Sequence, residues 1–213
     1  MRTKFHDKME TLKTSVIDMG ALVYENVKMC SEALFTENKE LAKKVSENPE
    51  KWYKWDQEIE EKCVQLIALQ QPMATDLRRL FVYIGISTDY DRMGRLLGHI
   101  ADIVLHHATL KIHPDLKKMF DVVQSMIEVT NKSLRNEDVT LLENLTKMDD
   151  EVDALFEKIF NESIQSMSNS CNHIHVRTEL LFAARWLERL GDHACRIGER
   201  VIYVVEGIHK RLT

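Results

Sequence analysis

The last helical stretch, ERLGDHACRIGERVIYVVEG (188–207), spaces Glu188, Asp192, Glu199 and Glu206 at steps of four, seven and seven. At 3.6 residues per turn, these steps stack all four side chains on one side of a helix. Like charges one turn apart repel by roughly 0.2–0.5 kcal/mol per pair, so such a column suits a cation, a basic partner or water. Spacing alone does not decide, since 34 acids in 213 residues supply roughly five i, i+4 pairs by chance. The preceding segment adds more. In DDEVD (149–153), Asp149 and Asp153 flank an apolar stripe of Leu141, Leu145, Met148, Val152, Leu155 and Ile159. The apolar face of the last helix runs through Leu187, Leu190, Ala194, Ile197, Val201 and Val205, with Glu188, Asp192 and Glu199 off that face. Two acidic pairs on adjacent antiparallel helices present four carboxylates to one region. Such an oxygen-rich set fits Mg²⁺, Mn²⁺, Ca²⁺ or iron.

Other chemistry is poorly supported. His193 and Cys195 are close in sequence, but their wheel angles do not bring both to the carboxylates. A di-iron centre of the helical-bundle type needs Glu-x-x-His on two helices, and Glu206–His209 is the single match. There is no G-x-S-x-G, H-E-x-x-H, P-loop or Gly-rich phosphate turn, so no catalytic template is met. His106–His107 and His173-x-His175 read as surface or packing residues, and Trp52, Tyr53 and Trp55 as packing around a helix start.

The elements that position these residues are helices. Only 7 Gly and 3 Pro punctuate the chain, too few for a many-stranded β fold. Phe5, Met9, Leu12, Val16, Met19, Val23, Val27, Cys30 and Leu34 recur at steps of three or four, a bundle-type stripe. A second helix begins near Asn38 and restarts at Pro49, running to about Gln71. A third occupies 72–109, with apolar positions at Leu77, Leu80, Ile84, Met93, Leu97 and Ile100. KIHPDLKK (111–118) is the candidate linker. Three more helices follow at about 115–136, 138–168 and 173–212, the last two separated by NSCN (169–172). The expectation is an all-α chain of two tandem three-helix bundles with six main helices, 1–110 and 111–213.

The halves align with each other. Val23, Val27 and Leu34 correspond to Val123, Ile127 and Leu134, DQEIE (56–60) to DDEVD (149–153), and DRMGRLLGHIAD (91–102) to ERLGDHACRIGE (188–199). The chain is read as an internal duplication.

The net charge is −5, and the basic residues are scattered along the sequence, with no footprint for nucleic acid. Cys30, Cys63, Cys171 and Cys195 form no C-x-x-C pair and read as reduced thiols of a cytoplasmic protein. Apolar runs such as LFVYIGI (80–86) fall short of the roughly 20 residues of a membrane span. Any membrane role would be indirect.

LFAARWLERLGDHACRIGERVIYVVEG (181–207) resembles the C-terminal signature of the PhoU family of phosphate-uptake regulators, and PMATDLRRLFVYIGISTDYDRMGRL (72–96) resembles its earlier repeat. The resemblance spans essentially the whole chain. It implies tandem three-helix bundles whose repeated acidic motifs bind metal clusters: Asp149, Asp153, Glu188 and Asp192 in the second bundle, and Asp56, Glu60 and Asp91 in the first. Divalent or iron ions are the implied metals, with no organic cofactor. In the first bundle, Arg95 stands where the second has Asp192. A guanidinium is no ligand, and it would pair with Asp91 or Glu60 instead. Asp89 would compensate only from a different wheel position, and Glu199 and Glu206 would merely extend the acidic surface. The implied role is a non-enzymatic negative regulator, a homodimer docking on the ATPase of a phosphate ABC transporter and on a sensor histidine kinase. The competing readings are a metal-dependent helical-bundle enzyme on the same carboxylates and a generic helical scaffold.

Overall fold

Pro and Asx residues set the helix boundaries in the computed structural model, which describes residues 2–47, 49–107, 112–169 and 174–212. Helix α1 (Arg2–Thr36) buries the stripe from Met9 to Leu34. It stops where Glu37 turns left-handed, at φ 53°, and Asn38 caps the short α2 (Lys39–Ser46) by accepting from the amides of Glu40 and Leu41. Helix α3 (Pro49–Gln70) restarts at its proline, where the missing N–H costs nothing. Helix α4 (Ala74–His106) closes the first half. Helix α5 (Pro114–Asn136) opens with Pro114 in its first turn behind the His113 cap.

The α1 ending then recurs 100 residues later. Glu137 also has φ 53°, and Asp138 caps the next turn by accepting from Thr140. That turn is a 3₁₀ segment (Val139–Leu142), and α6 (Leu145–Asn169) follows it. The single helix expected over 138–168 is thus divided, and Leu141 is exposed rather than in the stripe. Helix α7 (Ile174–Glu206) ends earlier than expected, and Gly207 (φ 77°) turns the chain back on itself. Val205, assigned to the apolar face, is exposed, and its neighbour Val204 is buried instead. Cys171 and His173 lie outside the described residues.

Six long helices, with no strand among the described residues, form two three-helix repeats: α1, α3 and α4, then α5, α6 and α7. The repeats share one core, with α4 along α7 and α1 along α5. The seam between them contains polar groups. Asp89 of α4 is buried and accepts from Arg200 Nε at 3.0 Å, while its other oxygen lies 2.9 Å from His193 Nδ1, both on α7. Glu137 joins Lys13 of α1 (2.7 Å) and Arg79 of α4 (3.0 Å). Asn131 Nδ2 donates to the Gly20 carbonyl at 2.8 Å. Paired in this way, buried charges fix register rather than add much net stability.

Candidate functional site

The amphipathic repeats of α6 and α7 bury Leu145, Val152, Ile159, Leu187, Leu190 and Ala194 between the helices. This packing carries the flanking acids to a common edge. Asp149 is the deepest, only 8% exposed. Gly191 eases this approach, since a Cβ there would stand a tight 3.3 Å from Asp149 Oδ1. Glu188 and Asp192 are half-buried and Asp153 lies at the exposed rim.

The acids disfavour one another's charge. Asp149 is pushed up to about 6, by burial first and then by Asp153 and Asp192, against a hydrogen bond from the Cys195 thiol. Burial, then Asp192, raises Glu188 and Asp153 above the usual carboxylate range. Burial also keeps the Cys195 thiol firmly protonated. One oxygen of Glu188 (Oε2) is buried without a partner. Its other oxygen accepts from Arg185 at 2.6 Å, and Arg185 also lies over the Phe156 ring.

The corresponding edge of the first repeat is assembled but neutralised. Burial, then Asp91 and Glu60, raises Asp56, while hydrogen bonds from Ser87 and Thr88 oppose the rise. Arg95 Nε meets both oxygens of Asp91, at 3.1 and 3.0 Å, and its guanidinium lies over Tyr53. Glu60 is exposed. Among the described residues, no three His, Cys, Asp or Glu side chains converge as a finished ligand set in either repeat. The second edge has the donor chemistry for a hard cation, namely four carboxylates, three of them of raised proton affinity, and one orphaned oxygen. The first has only three, and in each edge one carboxylate is tied to a guanidinium, Asp91 to Arg95 and Glu188 to Arg185.

Several residues differ from the sequence reading. Arg185 is absent from that reading, although its i−3 spacing to Glu188 is legible; each repeat therefore carries one arginine on its acids. His193 is at the seam with Asp89, away from the carboxylates. Glu199 does not extend an acidic surface, because Oε1 accepts the amide of Leu212 at 2.9 Å. Glu206 is exposed, and His209 lies beyond α7, stacked on Tyr203, so the Glu-x-x-His template has no helix to stand on. Trp52 is core, with the Gly94 backbone beneath its ring. Trp55 donates to Ser15, Tyr53 is half-exposed, and His107 pairs with Glu179.

Two tandem three-helix repeats with paired acids on the flank of each define an all-α, duplicated bundle protein. Residues 16–104 and 116–201 match the PhoU domain family model. The chain belongs to the PhoU family. It is 33% identical over 207 residues to phosphate-specific transport system accessory protein PhoU homolog 1 of Thermotoga maritima, covering 95% of this chain and 89% of that one. It is 31% identical over 210 residues to the PhoU homolog of Deinococcus radiodurans, covering 97% and 99%. The crystal structure of PhoU from Pseudomonas aeruginosa superposes with a TM-score of 0.90 at 27% identity, covering 96% of this chain and all of that one. The crystal structure of the phosphate transport system regulatory protein PhoU from Streptococcus pneumoniae gives 0.89 at 25%, covering 97% and 99%.

Proposed function

We propose that this protein is a cytoplasmic, non-enzymatic regulator of phosphate uptake that restrains a phosphate ABC transporter through its ATPase and restrains starvation signalling through a sensor histidine kinase. The supporting observation is the match of both repeats, over nearly the full chain, to relatives named as accessory proteins of phosphate-specific transport. No described helix is long and apolar enough to cross a membrane, and the proposed contact with a membrane complex runs through a protein partner. Long helices sharing one core offer a stiff surface for this purpose. In the test, the gene is deleted and phosphate uptake and phosphate-starvation transcription are measured in phosphate-replete medium. Both should rise, and the tagged protein should capture the ATPase and the kinase. Normal uptake, together with capture of neither partner, would refute the role.

The same proposal places metal on the second repeat, held by Asp149, Asp153, Glu188 and Asp192. A divalent or iron ion would supply charge neutralisation there, and through it the carboxylates would fasten α6 to α7. Asp56, Glu60 and Asp91 form a weaker site because Arg95 stands in place of a fourth carboxylate. Elemental analysis of the purified protein should show metal that is lost in both Asp153→Ala and Asp192→Ala. Unchanged occupancy in both variants would refute the shared site. The regulator is proposed to act as a homodimer, and light scattering that gives a monomer mass at working concentration would refute that.

A further inference from the structure

The chain's basic residues are scattered in sequence, yet the turn after α7 collects several of them. Gly207 reverses the chain, Leu212 inserts against Gly198 at 6% exposure, and its amide is held by Glu199. The returning segment places Lys210 and Arg211 across from Arg196 and Arg200 of α7, enclosing a cleft of about 490 Å³ whose other side is Phe81 and Val82 of α4. Glu199 is the cleft's one acid among the described lining residues, and it accepts the Leu212 amide. Arg200 is anchored from below by Asp89. Arg196, Lys210 and Arg211 have no ion-pair partner among the described residues.

Phe81 is 60% exposed beside these charges. Tyr203 is not available for stacking, since Arg78 lies 5.2 Å from its centroid and His209 is stacked on it at 4.1 Å. Three cations without an ion pair, facing the single carboxylate of Glu199, leave the cleft net positive and call for a polyanion; Arg with Lys is the usual phosphoryl-binding combination. An exposed phenyl ring at the rim offers a base a stacking surface. The cleft also has the volume of an organic-ligand site.

We propose that the cleft binds a nucleoside diphosphate or triphosphate, its phosphates on Arg196, Lys210 and Arg211 and its base against Phe81. Binding would couple α4 to α7 and to the folded-back tail, so a nucleotide would act as a regulatory ligand at the seam. The assignment does not depend on the metal or on the transport role.

The experiment titrates ADP into the full chain by calorimetry at low salt, with pyrophosphate and an Asp/Glu-rich peptide as comparison ligands. ADP should bind one to one. Arg196→Ala and Arg211→Ala each remove a charge-assisted hydrogen bond to phosphate and should weaken binding roughly tenfold apiece, with unchanged melting temperatures. Phe81→Ala should weaken ADP several-fold and leave pyrophosphate unaffected. Pyrophosphate binding as tightly as ADP, with Phe81→Ala silent, would overturn the nucleotide assignment. So would binding of the acidic peptide alone, or of none of the three.

Discussion

Replacing Asp149 by Asn tests whether the acids of the second repeat are held against their own repulsion. The change keeps the shape of the side chain and an oxygen for the Cys195 thiol, and it removes a charge that folding buries. Asp149 rises from 3.8 to about 6 in the folded protein. The gap of roughly two units, at about 1.4 kcal/mol each, bounds the cost of the ionised form at about 3 kcal/mol. Desolvation of the replacing amide takes back part of this, leaving a gain of about 1–2 kcal/mol, or roughly 2–8 °C for a chain of this size. The folded value lies above the unfolded one, so Asp149 contributes stability fully below pH 4 and loses it as pH rises through about 6. Asp149→Asn should therefore be more stable than wild type at pH 7.5 in chelator and equal to it at pH 4. Urea unfolding at the two pH values measures this. Excess Mn²⁺ should reverse the order at pH 7.5, because a cation that binds only the folded wild type stabilises it by mass action. A variant less stable than wild type at pH 7.5 in chelator would refute the reasoning.

Arg185→Ala should free Glu188 and tighten Mn²⁺ binding several-fold, read by calorimetry; unchanged affinity would show that the guanidinium does not compete. Gly94→Ala should cost about 2–3 kcal/mol in thermal melting, since a Cβ there falls 2.4 Å from the buried Trp52 ring. Asp89→Ala leaves Arg200 and His193 without their carboxylate and should cost about 3 kcal/mol in urea unfolding. Asn38→Ala removes the acceptor for two amides and should cost about 1 kcal/mol.

Elements whose signals are local were legible in the sequence. Pro49 and Pro114 begin helices because their φ and missing N–H suit a first turn, and Asn38 caps the next helix because its side chain reaches the amides ahead of it. The acid edge was legible too, because a helical period and a second helix at matching offset suffice to bring Asp149 to Asp192. Long-range pairings were not. Asp89 meets His193 and Arg200 across 104 and 111 residues, and a helical wheel specifies a face but not what covers it. The basic cleft was equally hidden, because it depends on the chain reversing at Gly207 after a helix that periodicity alone extends to 212. Arg95 with Asp91 was legible because i, i+4 neighbours on a helix meet whatever the tertiary fold.

The polar seam makes the two repeats non-interchangeable. Under the offset of 97 that aligns α4 with α7, Asp89 corresponds to Trp186, His193 to Leu96, and Arg200 to Ile103. None of the three has its own kind in the other copy. Two copies of the second repeat would set an indole where this chain has a carboxylate, and two copies of the first would set aliphatic groups where it has imidazole and guanidinium. The lock is therefore one-sided, with its carboxylate supplied by the first repeat and its two cationic or polar partners by the second. Each half is a key cut for the other, and two copies of the same half would not remake this pairing.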